Sequence, residues 1–129
     1  MIENMALRLE SDKPLETVVA NIEKNAVENQ FRVLCVHDVQ QTLAEKGFER
    51  GPLKIIEVCN AGFAHRALEQ DIAVAMFMPC RFTVHTDGDK TIVALSRPSM
   101  IVEMMPQLDL GELSTTVEAN LIEVMEASI

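Results

Sequence analysis

Two thiols in this chain stand where the backbone is set to change course. Cys59 closes the apolar run at residues 53–58 and is followed at once by Asn60. Cys80 follows Pro79 and leads a second β-rich run. A thiolate can ligate a metal, enter a disulfide or attack an electrophile, so the thiol is the most versatile group on offer here. Asn60 is a favourable N-cap and predicts a helix over 61–70. Unpaired N–H groups at that helix start would favour the thiolate of Cys59, while Glu57, two residues back on the same strand face, opposes it. Cys80 alternates with Phe82 and Val84 and so shares their face. Pro79 predicts a bulge, a feature that re-aims side chains near sites. Each thiol also has a plain packing explanation, because free cysteine is among the most buried residue types. Cys35, beside Val33 in another strand-like run, is expected in the core.

The other ligand types are sparse. His37, His65 and His85 are scattered, with no HxxxH spacing and no CxxC pair. His65 falls on the predicted 61–70 helix, where it can line a pocket mouth. The candidate ligand-binding set is therefore Cys59, Asn60, Cys80 and His65, with no metal ligand set and no cofactor predicted. Met76, Met78, Met100, Met104 and Met105 form a soft group that fills core gaps or, alternatively, supplies ligands to a non-covalently held haem or metal. There is no phosphate-cradling glycine loop, no G-x-S-x-G turn and no motif-paired carboxylates. No enzyme class is indicated, and whether the chain is an enzyme stays open.

The elements that must position these groups can be read from periodicity and punctuation. Strands are predicted at 5–9, 31–37, 53–59, 73–86 with an interruption at Pro79, and 91–95, the last two joined by an Asp87-Gly88-Asp89-Lys90 hairpin turn. Leu15, Val18, Val19, Ile22 and Ala26 have helical spacing, with Ser11 and Asp12 as caps and Pro14 in the first turn. Asp38 caps a short helix to Lys46, Met100–Met105 forms another ended by Pro106, and Leu113, Val117, Leu121, Val124 and Met125 mark a closing amphipathic helix. The order predicts an α+β fold: a mainly antiparallel sheet of about five strands with helices packed on one face. The other face is expected to keep alternate Val, Ile and Phe side chains and to be covered in a homodimer.

Composition narrows the partners. The 129 residues suit one domain, 1–129, and 48% of them are apolar. The net charge is −9, and from Pro98 onward there are acids (Glu103, Asp109, Glu112, Glu118, Glu123, Glu126) but no basic residue. Such a surface repels phosphate backbones and anionic lipid, so neither nucleic acid nor membrane is an expected partner. It is either a solvated helix face or a docking surface for a basic partner. There is no secretory pattern at the N-terminus, and the longest apolar run, 72–78, is too short to cross a bilayer. A cytoplasmic protein with reduced thiols is expected.

Four stretches carry a family resemblance: HDVQQTLAEKGFE from His37, LKIIEVCNAGFAHRAL from Leu53, MFMPCRFTVHTDGDKTIVAL from Met76, and the terminal helix from Gly111. With its Cys-Asn and Pro-Cys pairs at this separation, the chain resembles the domain of unknown function 302 family. The resemblance implies a compact α+β homodimer and a loose link to redox and sulphur metabolism. The chain departs from it at Ala61-Gly62, where the family has proline after Cys-Asn, and at His65, where an aromatic is usual. Three roles follow as expectations: binding of a small ligand or reactive sulphur species near Cys59, a non-catalytic interaction module using the acidic C-terminal helix, or a haem or metal carrier using His65 or the cysteines.

Overall fold

A computed structural model describes residues 5–129. The elements run β1 (Ala6–Ser11), α1 (Leu15–Glu28), β2 (Arg32–Asp38), α2 (Val39–Ala44), β3 (Leu53–Cys59), α3 (Ala61–Gln70), a 3-10 helix (Ile72–Phe77), β4 (Cys80–Asp87), β5 (Lys90–Ser96), α4 (Met100–Met104) and α5 (Gly111–Ser128). The strands form one antiparallel sheet in the order β1-β5-β4-β3-β2. This is the expected α+β class.

Alternation along the strands sends Ile56, Val58, Phe82, Val84, Val93 and Leu95 to one face, where all are fully buried. Helices α1 and α5 cover that face. Val18, Ile22 and Ala26 of α1 and Leu121 and Val124 of α5 recur at helical spacing and are likewise fully buried. Burial of each such side chain contributes about 1.5–3 kcal/mol relative to exposure. Asn25 of α1 donates to the Ser128 hydroxyl at 2.9 Å, and Asn21 to the Ser128 carbonyl at 3.2 Å, which fixes how the two helices lie together.

Four local expectations are corrected. Helix α1 takes Pro14 as its N-cap with no side-chain cap bond, and Ser11 instead accepts from the Lys13 N–H at 3.1 Å. The 73–86 run is not one strand. The Asp71 carboxylate accepts from the Ala73 N–H at 2.8 Å and starts the 3-10 helix, and the strand begins only after Pro79. The Met78–Pro79 peptide is cis. No bulge follows Pro79, since β4 pairs with β3 in unbroken register from Cys80 onward. The register shift lies in β2, between Val33 and Cys35. That extra residue reverses the alternation. Val33 and Val36 pack against the core, whereas Cys35 is exposed and shares the outer face with His37. Cys35 is therefore not a core residue.

The outer sheet face meets expectation in part. Ile55, Thr83 and Ala94 follow one another across its centre in direct register, with charged groups (Arg8, Glu57, Arg81) on one side and Leu53, His85 and the buried Ile92 on the other. Val and Phe side chains of the central strands all face the helices. Nor is the acidic C-terminal helix wholly solvated, because Glu118 is turned inward with its side chain 13% exposed.

Candidate functional site

Beyond the ends of β3 and β4 the helices leave a cleft of about 650 Å³. Cys59, Asn60 and Phe63 form one wall, Met76 to Cys80 a second, Met100, Ile101 and Met104 of α4 a third, and Leu113 and Val117 of α5 the floor. The lining is largely apolar, with Arg81 and Arg97 as its cationic members. Cavities of this size and character suit small molecules with an apolar body.

The α3 and α4 walls are each pinned by traceable contacts. The Asn60 side-chain oxygen accepts from the Phe63 N–H at 3.1 Å, capping α3, while its amide donates to the Gln30 carbonyl at 3.1 Å. Gln30 itself ends α1 in the left-handed region at φ 67°, with the Phe31 N–H donating to the Ala26 carbonyl at 2.8 Å and the Gln30 N–H to Val27 at 3.0 Å. This is a Schellman ending built on glutamine rather than glycine. Asn60 thus ties the start of α3 to the end of α1. At the far end of α3, Gln70 both donates to the Asp109 carbonyl and accepts from its N–H.

The α4 wall hangs on Glu118. Its carboxylate accepts from the Ser99 hydroxyl at 2.7 Å, the Ser99 N–H at 3.2 Å and the Arg97 guanidinium at 3.3 Å. Burial opposes ionisation of Glu118, but these donors outweigh it and hold the carboxyl below its usual range. Charge-assisted bonds of this kind are the stronger ones. Arg97, Ser99 and Glu118 lay outside the sequence-based site, and their spacing along the chain carries no signal for it.

Cys59 and Cys80 open onto the same cleft, and both thiols are free. Cys80 pairs directly with Val58, so Cys59 lies one residue past it across the ladder. Burial, and next the nearby Cys59, push the Cys80 thiol up to about 11. Cys80 is therefore neutral at physiological pH. His65 is elsewhere. It sits on the exposed side of α3, 73% accessible and paired with Glu69 at 3.0 Å, and it does not line the cleft. The methionines divide: Met105 is buried, whereas Met76, Met78, Met100 and Met104 line the cleft, with Met76 84% and Met104 63% exposed at its rim. Among the described residues, no histidine lines the cleft.

Among the described residues, no helix is long and apolar enough to cross a membrane. No curated protein matches the chain. A crystal structure of an uncharacterized conserved DUF302 protein from Bacillus stearothermophilus superposes with a TM-score of 0.91 at 26% identity, over 97% of this chain and 98% of that one. The family model described as "Domain of unknown function DUF302" matches residues 7–128. On that match, which spans nearly the whole sheet, both core helices and the cleft, the chain belongs to the DUF302 family.

Proposed function

We propose that this protein binds a small molecule with an apolar body and a soft, electrophilic or sulphur-bearing end, held in the cleft against Cys59. The observation that carries this reading is the pairing of a largely apolar cavity of about 650 Å³ with two free thiols at one end. The walls receive the apolar body, and the methionines adapt to its outline. Cys59 is the reacting or ligating thiol. Cys80 stays protonated beside it, and Asn60 holds the turn that aims Cys59. For a reactive sulphur species, the Cys59 thiolate attacks the terminal sulphur of a polysulfide, and the rest of that chain leaves as a shorter sulphide anion.

The test is intact-mass analysis after exposure to inorganic polysulfide, done on Cys35→Ser protein so that the exposed thiol does not contribute. A gain of sulphur confined to Cys59, and suppressed by an apolar occupant of the cleft, is the expected result. No adduct on Cys59, together with no saturable uptake of an apolar fluorescent probe, would overturn the reading.

We propose further that the chain works as a cytoplasmic homodimer through the outer sheet face. The half-buried row Ile55, Thr83 and Ala94 supports this. Ile55→Arg is expected to convert dimer to monomer in light scattering while leaving the helix-covered core intact.

A further inference from the structure

On the outer sheet face, opposite the helices, Cys35 and His37 of β2 are brought together with Glu57 of β3, 20 residues on from His37. The β2 register shift sets Cys35 and His37 on that face, and Cys35 is the ladder partner of Glu57 on β3. Cys35 Sγ lies 3.8 Å from His37 Nδ1, and His37 Nε2 lies 2.7 Å from Glu57 Oε1. One ligand atom from each residue falls within 4.8 Å of the others. Arg81 approaches the second Glu57 oxygen at 3.9 Å.

The proton positions follow from chemistry. An ionised carboxylate only accepts, so the His37 nitrogen facing Glu57 carries the hydrogen. In neutral imidazole the other nitrogen, Nδ1, then presents its lone pair, and it faces the Cys35 sulphur. A tetrahedral ion holding a thiolate at about 2.3 Å and an imidazole at about 2.0 Å sets sulphur and nitrogen about 3.5 Å apart. The observed 3.8 Å is close to that separation. A carboxylate behind the imidazole is the partner that metal-bound histidines usually have, fixing the tautomer and raising the ligand's basicity.

We propose that Cys35 Sγ and His37 Nδ1 chelate a zinc-class divalent cation, with Glu57 orienting His37 through Nε2. Cys35 loses its proton to solvent as the ion binds. Thiolate and imidazole together select zinc-like ions over magnesium or calcium, which prefer oxygen. The His37 side chain is 48% exposed in the single chain, so the remaining coordination positions face outward, toward water or toward a ligand atom of the second copy in the proposed dimer. Glu57 and Arg81 are positioning residues: neither supplies the ion with an atom.

The test uses chelator-stripped full-length protein. Zinc is titrated against a chromophoric indicator, and cobalt(II) is added separately to read the thiolate-to-cobalt charge-transfer absorption. One ion per chain is expected, lost in Cys35→Ser and in His37→Ala and retained in a Cys59→Ser/Cys80→Ser double variant. Glu57→Gln should weaken binding by about 10- to 100-fold without abolishing the charge-transfer absorption. The side chains concerned lie on the exposed face, and far-ultraviolet circular dichroism checks that each variant is folded. Absence of saturable zinc binding in the wild-type protein, binding that persists in Cys35→Ser, or loss in the Cys59/Cys80 double variant would each overturn the assignment. The last outcome would move the metal to the cleft.

Discussion

Cys59 ends β3 one residue beyond the Val58–Cys80 pair, and both thiols open onto a single cleft from neighbouring strands. Their environments nonetheless differ. Cys80 packs against the core and its ionisation is suppressed, with a value pushed up to about 11.

That difference predicts an order of alkylation. Cys35 is exposed and should react first, Cys59 next, and Cys80 last. The Cys80 rate should climb about tenfold per pH unit above neutrality, because it tracks the thiolate fraction. The sign for stability follows from the raised value. The contribution is fully present below the ordinary thiol range and is eroded as pH rises through it toward 11, since the unfolded chain ionises first. Residue-resolved mass spectrometry across a pH series checks the order.

Glu118 carries an acid-side prediction. Its carboxyl is held below the usual range, so its stabilising contribution is present above that range and lost as pH falls through the folded value. Glu118→Gln should lower stability by about 1–3 kcal/mol at pH 7, because the Arg97 and Ser99 donors lose an ionised acceptor. The gap between variant and wild type should close in acid, where the native carboxylate is also protonated. Urea unfolding at neutral and acid pH reads both.

Asn60 and Gln30 test the junction between α1 and α3. Asn60→Ala removes the α3 cap and the bond to the Gln30 carbonyl, with an expected loss of about 1–2 kcal/mol. Gln30→Gly keeps that carbonyl and relieves a left-handed backbone of φ 67°, so a gain of up to about 1 kcal/mol is expected. Denaturant midpoints should move in opposite directions for the two variants.

Ala67 lines the cleft and is half-buried on α3. Ala67→Phe should fill space without disturbing the central core. Uptake of an apolar probe should fall at least about tenfold, as expected when a ring-sized volume is taken from a small-molecule site, while the unfolding midpoint changes little. Equal probe uptake by variant and wild type would place the probe elsewhere.

Much of the fold was legible because its signals are local. Asn60 marked the start of α3, and the helix runs over Ala61–Gln70 as the cap implies. The spacing of Leu15, Val18, Val19, Ile22 and Ala26 marked the buried side of α1. The alternation of Phe82 and Val84 marked the inner face of β4. Residues 73–77, expected within the 73–86 strand, lie in a 3-10 helix instead, because a short apolar run has no period that separates strand from helix. There the Asp71 side chain, bonded to the Ala73 N–H, decides for a 3-10 turn.

The sequence by itself determined most of the element types, the Asp38 and Asn60 helix caps and most of the side chains that form the core, because each depends on residues within a turn or two of one another. Only the tertiary structure decided which face Cys35 takes and what each thiol meets. A single extra residue in β2 carries Cys35 out of the core and beside His37, and the antiparallel β2–β3 pairing then brings up Glu57 from 20 positions away. The β3–β4 register likewise delivers Cys59 and Cys80 to one cleft, while one further turn of α3 leaves His65 in solvent. Faces and meetings of this kind are set by long-range hydrogen-bond register, and a shift of one residue reverses every side chain that follows it.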